Sequence, residues 1–194
     1  MVKSGDRKPG SPDEDVTQDG TGISFEMTPP EDSIDPDYLQ DVIAEFYDVS
    51  RSSAEVIAEC IEEGYFEGYG YDKITRNVKE ESIELDRDEI HTIVWTELGG
   101  VQTRRNIADA HEQATEREFV TGVEWSVPGD ERGCSPVCEA TAEEIDARGG
   151  SVSAPELQEI LRANAEKYED GTPERMDDWI PHKECRCTII KALE

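Results

Sequence analysis

The chain has 194 residues, 47 of them acidic and 19 Lys or Arg, for a formal net charge of -28. That length suits one domain with a tail or two, and a 35% hydrophobic fraction supports a modest core. No apolar run approaches the roughly 20 residues of a bilayer span, "MVKSGDRKPGSPDEDV" has no apolar h-region, and no basic patch is present to neutralise phosphates.

The expectation is a protein made and used in the cytoplasm, or in something assembled there, with no membrane contact and no direct sequence-specific nucleic-acid contact. Acid outnumbers base from end to end. The acids decorate periodic segments with intact apolar faces, which favours a folded surface adapted to high salt over a disordered chain or a strongly basic partner surface.

Residues 1–33 are rich in Gly, Pro, Ser and acid and read as a flexible acidic arm, a plain disordered leader ahead of the alternative that "GISFEM" docks. A first helix is expected near Asp35, with Pro36 at N1 and Ser33 or Asp35 as cap. Leu39, Val42, Ile43 and Phe46 follow at helical spacing. "DVSRSS" breaks the run, and Ser52 or Ser53 caps a second helix carrying Val56, Ile57, Cys60 and Ile61.

In "EEGYFEGYGYDK" the glycines interrupt the helix, while Tyr65, Phe66, Tyr69 and Tyr71 suit a packed junction or a partner surface. A third helical region runs from about Asp86 to Phe119, with Gly99 and Gly100 dividing or bending it. His91 and His111 each lack a second ligand at i+4 and read as structural or surface residues. Residues 34–121 thus form a helical domain, and the partner-binding region is placed there.

Residues 122–194 read as a small α+β module, so the fold class is mostly α-helical with a short hairpin or paired strands at the end. "GVEWSVPG" is a short strand ending in a turn. Residues 139–180 read as insertion material with little core of its own, apart from a helix opened by Pro155 and faced by Leu157, Ile160 and Leu161. "CRCTII" closes the module as a strand, with Val123–Val127 beside Arg186–Ile190.

Five cysteines are present. Cys60, on a helical apolar face, reads as a buried free thiol. The other four form two close pairs, Cys134/Cys138 and Cys185/Cys187, with His182 nearby: five soft candidates for a site that takes four. On a strand, Cys185 and Cys187 share one side, and Cys134 and Cys138 can fold back as a ligand loop around Pro136. One tetrahedral zinc would close the long loop between the pairs. Two disulfides and unligated thiols stay open beside it. A catalytic Cys138–His182 dyad, with acid–base work by Asp130 or Glu131, competes poorly, since four clustered thiols fit ligation or bridging better. There is no G-x-G-x-x-G, Walker loop or H-E-x-x-H, and no enzymatic role is expected.

Taken in order, "DEIHTIVWTELGGVQTRRNIADAHEQA", "GVEWSVPGDERGCSPVC" and "PHKECRC" resemble the phage head morphogenesis family, which includes the phage Mu F-like and SPP1 minor head proteins. The matching positions are Thr96 and Glu97, Trp125 and Asp130, Cys134 and Cys138, then His182, Cys185 and Cys187. "CSPVC" is one residue wider than the family's usual pair, and "EATAEEIDARGG" replaces a short segment.

The resemblance implies a minor capsid protein of a tailed virus, assembled in the host cytoplasm and located in the virion head near the portal vertex. Its implied partners are the viral portal protein, with major capsid or scaffold proteins as further candidates. Its implied role is in head assembly or in DNA packaging and ejection. The acidic surface points to a halophilic archaeal host. The alternatives are a cellular zinc-bearing adaptor of a halophile and, behind it, a thiol-dependent enzyme. In the viral reading zinc is a scaffold, with Trp125 as apolar cover beside it and the helices with the Tyr-rich segment as the portal contact.

Overall fold

The computed structural model describes residues 35–81, 83–116, 120–129 and 133–193. "GISFEM", Ser33, Asp130, Glu131 and the His111 side chain lie outside the described residues.

Helix α1 spans Pro36–Phe46. Asp35 caps it as expected, its carboxylate accepting from the Asp37 and Tyr38 amides at 3.0 and 3.2 Å. Helix α2 spans Arg51–Phe66, and its cap is Ser50 rather than Ser52 or Ser53. The helix starts two or three residues earlier than expected, so Ser52 and Ser53 already lie in its first turn. Ser50 has the extended backbone a cap requires and accepts from the Ser53 amide at 3.2 Å.

Gly68, with φ at 69°, reverses the chain into α3, Tyr71–Glu80. Tyr65, Tyr69 and Tyr71 pack partly buried against the core of this region, while Phe66 stands 56% exposed. Cys60 packs at the edge of the same core, half-buried rather than sealed inside.

Helix α4 runs unbroken over Arg87–Glu116. Gly99 and Gly100 do not divide it, because Leu98 and Val101 are buried on either side and hold the helical backbone. Their value is close approach. A Cβ at Gly100 would lie 2.9 Å from the Ile180 side chain and 3.2 Å from the Asp178 carbonyl oxygen, whereas one at Gly99 meets only the Cys185 carbonyl at 3.6 Å. The two positions should therefore respond oppositely to alanine. Gly99→Ala is expected to gain up to about 1 kcal/mol from helix propensity. Gly100→Ala is expected to cost about 1–3 kcal/mol through overpacking. Urea unfolding midpoints check both.

Strand β1, Val120–Ser126, pairs antiparallel with β2, Thr188–Leu193: Ser126 faces Thr188 and Glu124 faces Ile190. The expected pairing of distant segments is thus present. Cys185 and Cys187, however, lie just ahead of β2 in irregular backbone rather than within a strand.

The segment between the strands is not coreless insertion material. It forms α5 (Pro136–Ala147), α6 (Ala154–Lys167) and a 3-10 helix (Pro173–Asp178). Ser153 and Glu156 make a reciprocal capping box ahead of α6. Val137, Ile145, Leu157, Leu161, Met176 and Trp179 are buried against Val123, Trp125 and Ile189 of the sheet. The apolar residues look sparse in sequence because polar ones separate them, yet α6 alone buries Ala154, Leu157, Ile160, Leu161 and Ala165.

Two apolar clusters result. One gathers α1–α3 on the N-terminal half of α4, and the other joins the remaining elements to Ile107 and Ala110. They meet along α4 between Val101 and Ile107.

Candidate metal centre

Pro136 opens α5, so Cys138 occupies the first turn of a helix rather than a ligand loop, with Ser135 as cap. Only Cys134 sits in the preceding loop. Cys138 is fully buried and Cys187 nearly so, whereas Cys134 and Cys185 are half-buried. The other side of the site is the stretch His182–Cys187. It is fixed to the fold by an isolated bridge between Gly171 and His182 and by a left-handed turn at Glu184.

All five expected ligands come together. Cys134, Cys138 and Cys187 form one group with ligand atoms within 4.8 Å of one another, and Cys138, His182 and Cys185 form a second. Cys138 belongs to both. The Cys134 and Cys187 sulfurs lie 3.1 Å apart, and those of Cys138 and Cys185 lie 3.6 Å apart. The His182 Nε2 is 3.2 Å from the Cys138 sulfur.

The donor set fits zinc. With Zn–S near 2.3 Å, tetrahedral ligation places sulfurs about 3.8 Å apart, so small outward shifts would seat an ion. The imidazole is oriented for the task. Its Nδ1 is 2.7 Å from the Lys183 carbonyl oxygen, which holds a proton on Nδ1, so that a cation displacing the other ring proton would meet the Nε2 lone pair.

The electrostatics agree with a cation site. Hydrogen bonds from the Cys138 thiol pull the Cys134 thiol down to about 6 and hold Cys185 well below the usual thiol range. Giving those hydrogen bonds pushes Cys138 up. Cys187 is also pushed up, its bond to Cys185 and its burial outweighing the help of Cys138. Burial alone would lower His182, but its bond to Cys185 and that thiolate's charge raise it to about 9. These shifts favour the thiolate forms of Cys134 and Cys185, and a divalent cation would displace the protons that remain.

Trp125 is buried in the same apolar cluster as Cys138 and Cys187. His91 takes no part: its ring is partly exposed, 3.9 Å from the Glu184 carboxylate.

Several supporting residues were not legible as such. The Thr96 hydroxyl accepts from the Glu184 amide at 3.0 Å, and the Thr92 hydroxyl donates to the Glu184 carboxylate at 2.6 Å. The Trp95 indole N–H reaches the Cys185 carbonyl at 3.4 Å. One turn of α4 thus clasps the ligand loop. Beside this clasp, Glu97 is buried and forms a two-pronged pair with Arg175 at 2.8 and 2.9 Å, while accepting from the Tyr47 hydroxyl at 2.9 Å. Arg175 also donates to Asp178 at 3.0 Å. Asp178 in turn accepts from Arg104 at 3.2 Å and from Tyr38 at 2.5 Å. Burial and the bond to Asp178 raise the Tyr38 phenol to about 12. The "WTE" triplet was the available signal for the clasp, whereas nothing in the sequence around Arg175 marked it as a partner of Glu97.

No family model, curated protein or solved structure matches this chain. Among the described residues, no helix is long and apolar enough to cross a membrane.

Proposed function

We propose that this protein is a non-catalytic, zinc-bearing adaptor: it binds and positions another protein, and the metal centre holds its C-terminal module in shape. The convergence of five soft ligands around the buried Cys138 carries this reading. A nucleophile must meet its substrate, and the burial of Cys138 supports a scaffolding role instead. Elemental analysis with thiol counting tests it: one zinc per chain with free thiols released only on denaturation is expected. Two disulfides without metal would sink it.

Within that class, the order of motifs favours a minor head protein of a tailed virus, acting near the portal in assembly or in DNA packaging and ejection. Its support is that Thr96, Cys134, Cys138, His182, Cys185 and Cys187, which carry the resemblance, lie in or against one centre in the fold. The metal geometry alone asks for no virus and equally serves a cellular adaptor of a halophile. Mass spectrometry of purified particles separates the two. A chain absent from particles but bound to a cellular protein belongs to the second.

The contact surface is placed at the exposed Phe66. Phe66→Asp is expected to weaken portal capture about tenfold or more while leaving the melting temperature unchanged. A halophilic setting predicts that the melting temperature climbs as KCl is raised to molar levels, because counterions screen a surface of net charge -28. A flat salt response would remove that part of the reading.

A further inference from the structure

Two short sulfur contacts cross the centre from one sequence pair to the other. Cys134 meets Cys187, 53 positions away, at 3.1 Å, and Cys138 meets Cys185 at 3.6 Å. Each pair has one half-buried and one buried member, but the first is the closer, and in the second Cys138 is also engaged by His182. A disulfide needs its sulfurs at about 2.05 Å, a closure of about 1 Å from the observed contact. Cys60, the remaining thiol, belongs to the other apolar cluster and has no part in the site.

We propose that Cys134 and Cys187 are an oxidation site, cross-linked by a peroxide with loss of the zinc. The proposal rests on the zinc reading above but not on the viral one. The Cys134 thiolate attacks one oxygen of hydrogen peroxide. The O–O bond breaks, hydroxide leaves, and the sulfur becomes a sulfenic acid. The Cys187 thiolate then attacks that sulfur, the S–S bond forms, and a second hydroxide leaves. Two electrons pass from the sulfurs to the peroxide, which takes two protons and ends as two waters. The zinc, having lost two anionic ligands, dissociates.

The cross-link joins the loop before α5 to the stretch leading into β2. These are the two segments that the metal holds, so one staple replaces the other. A reduced compartment favours the zinc form and an oxidising one the disulfide form.

The test uses the full chain, with zinc measured first. A preparation without zinc overturns the proposed adaptor function and the exchange together. A zinc-loaded preparation is then titrated with hydrogen peroxide, following zinc release with a colorimetric chelator, thiol loss, and non-reducing peptide maps. The expected result is one zinc released for each two thiols lost, a peptide joining Cys134 to Cys187, and an unchanged far-ultraviolet spectrum. Cys60→Ser, outside the site, is expected to release zinc and give the same peptide as the parent chain, and Cys134→Ser to give no such peptide. Bonds within the sequence pairs, a Cys138–Cys185 bond alone, or sulfinic acids without a cross-link would overturn the proposal while leaving the zinc reading intact.

Discussion

Replacing Cys138 by Ser is expected to strip the chain of zinc and destabilise its C-terminal module. Cys138 is the ligand shared by both groups of the centre, so its loss leaves neither group complete. Zinc binding is folding free energy, about 10–16 kcal/mol in zinc-finger peptides. Even a fraction of that rivals the roughly 5–15 kcal/mol that stabilises a whole domain. The module does have a core of its own, so partial structure in α5 and α6 is expected to survive. The α1–α3 cluster, a separate apolar core tied to the module through α4 and the Tyr38–Asp178 bond, should keep its helices. Zinc stoichiometry and a circular-dichroism melt check this. The expected pattern is a lost low-temperature transition beside a retained one, reproduced in the native chain by a strong chelator. A Ser variant that keeps its zinc and its melting profile would refute the assignment of Cys138.

The second large effect is expected at Arg175. Its side chain is 6% exposed, and that of its partner Glu97 is 1% exposed. Removing one member of a buried pair leaves the other charge uncompensated, at a cost of about 3–5 kcal/mol. Arg175→Ala is therefore expected to lose that much, with Glu97 and Asp178 both abandoned. Glu97→Gln should lose less, because Asp178 still faces the guanidinium. Replacing the pair together with apolar residues of similar volume should recover much of the loss. Guanidinium unfolding of the single and double variants measures this, and additive losses would show that the two side chains do not couple. Because the pair is buried, added salt should barely change the deficit, in contrast to the exposed Arg162–Asp177 pair.

What was legible in the sequence follows from how local each signal is. Asp35 and Pro36 announced α1 because capping acts within one turn. The soft ligands were legible as a set because few other structures require four thiols and an imidazole so disposed. Their exact backbone setting was not: Pro136 works as well at a helix start as in a ligand loop, and a neighbouring strand need not include Cys185 and Cys187. Gly99 and Gly100 looked like a break because glycine disfavours helix, yet tertiary contact with Ile180 and Asp178 made small residues advantageous inside one. The weak apolar content of residues 139–180 hid a real core, since burial there is shared among α5, α6 and the sheet. Arg175 could not be paired with Glu97 at all. Their union depends on how the 3-10 helix docks on α4, which no local pattern encodes.

The pairing of β1 with β2 also has a kinetic side. The α5–α6 unit between them is local in sequence and can form early, whereas the strands and the ligand pairs must find one another across a long loop. Cys134 and Cys187 are separated by 53 positions, and closing a loop of that size comes with an entropic cost that contacts repay only once it is shut. A metal that captures the first sulfurs to meet would hold the loop closed while the ladder zips. Refolding of the module should accordingly quicken when zinc is supplied at the start rather than after collapse, making the ion a pacemaker of the folding reaction.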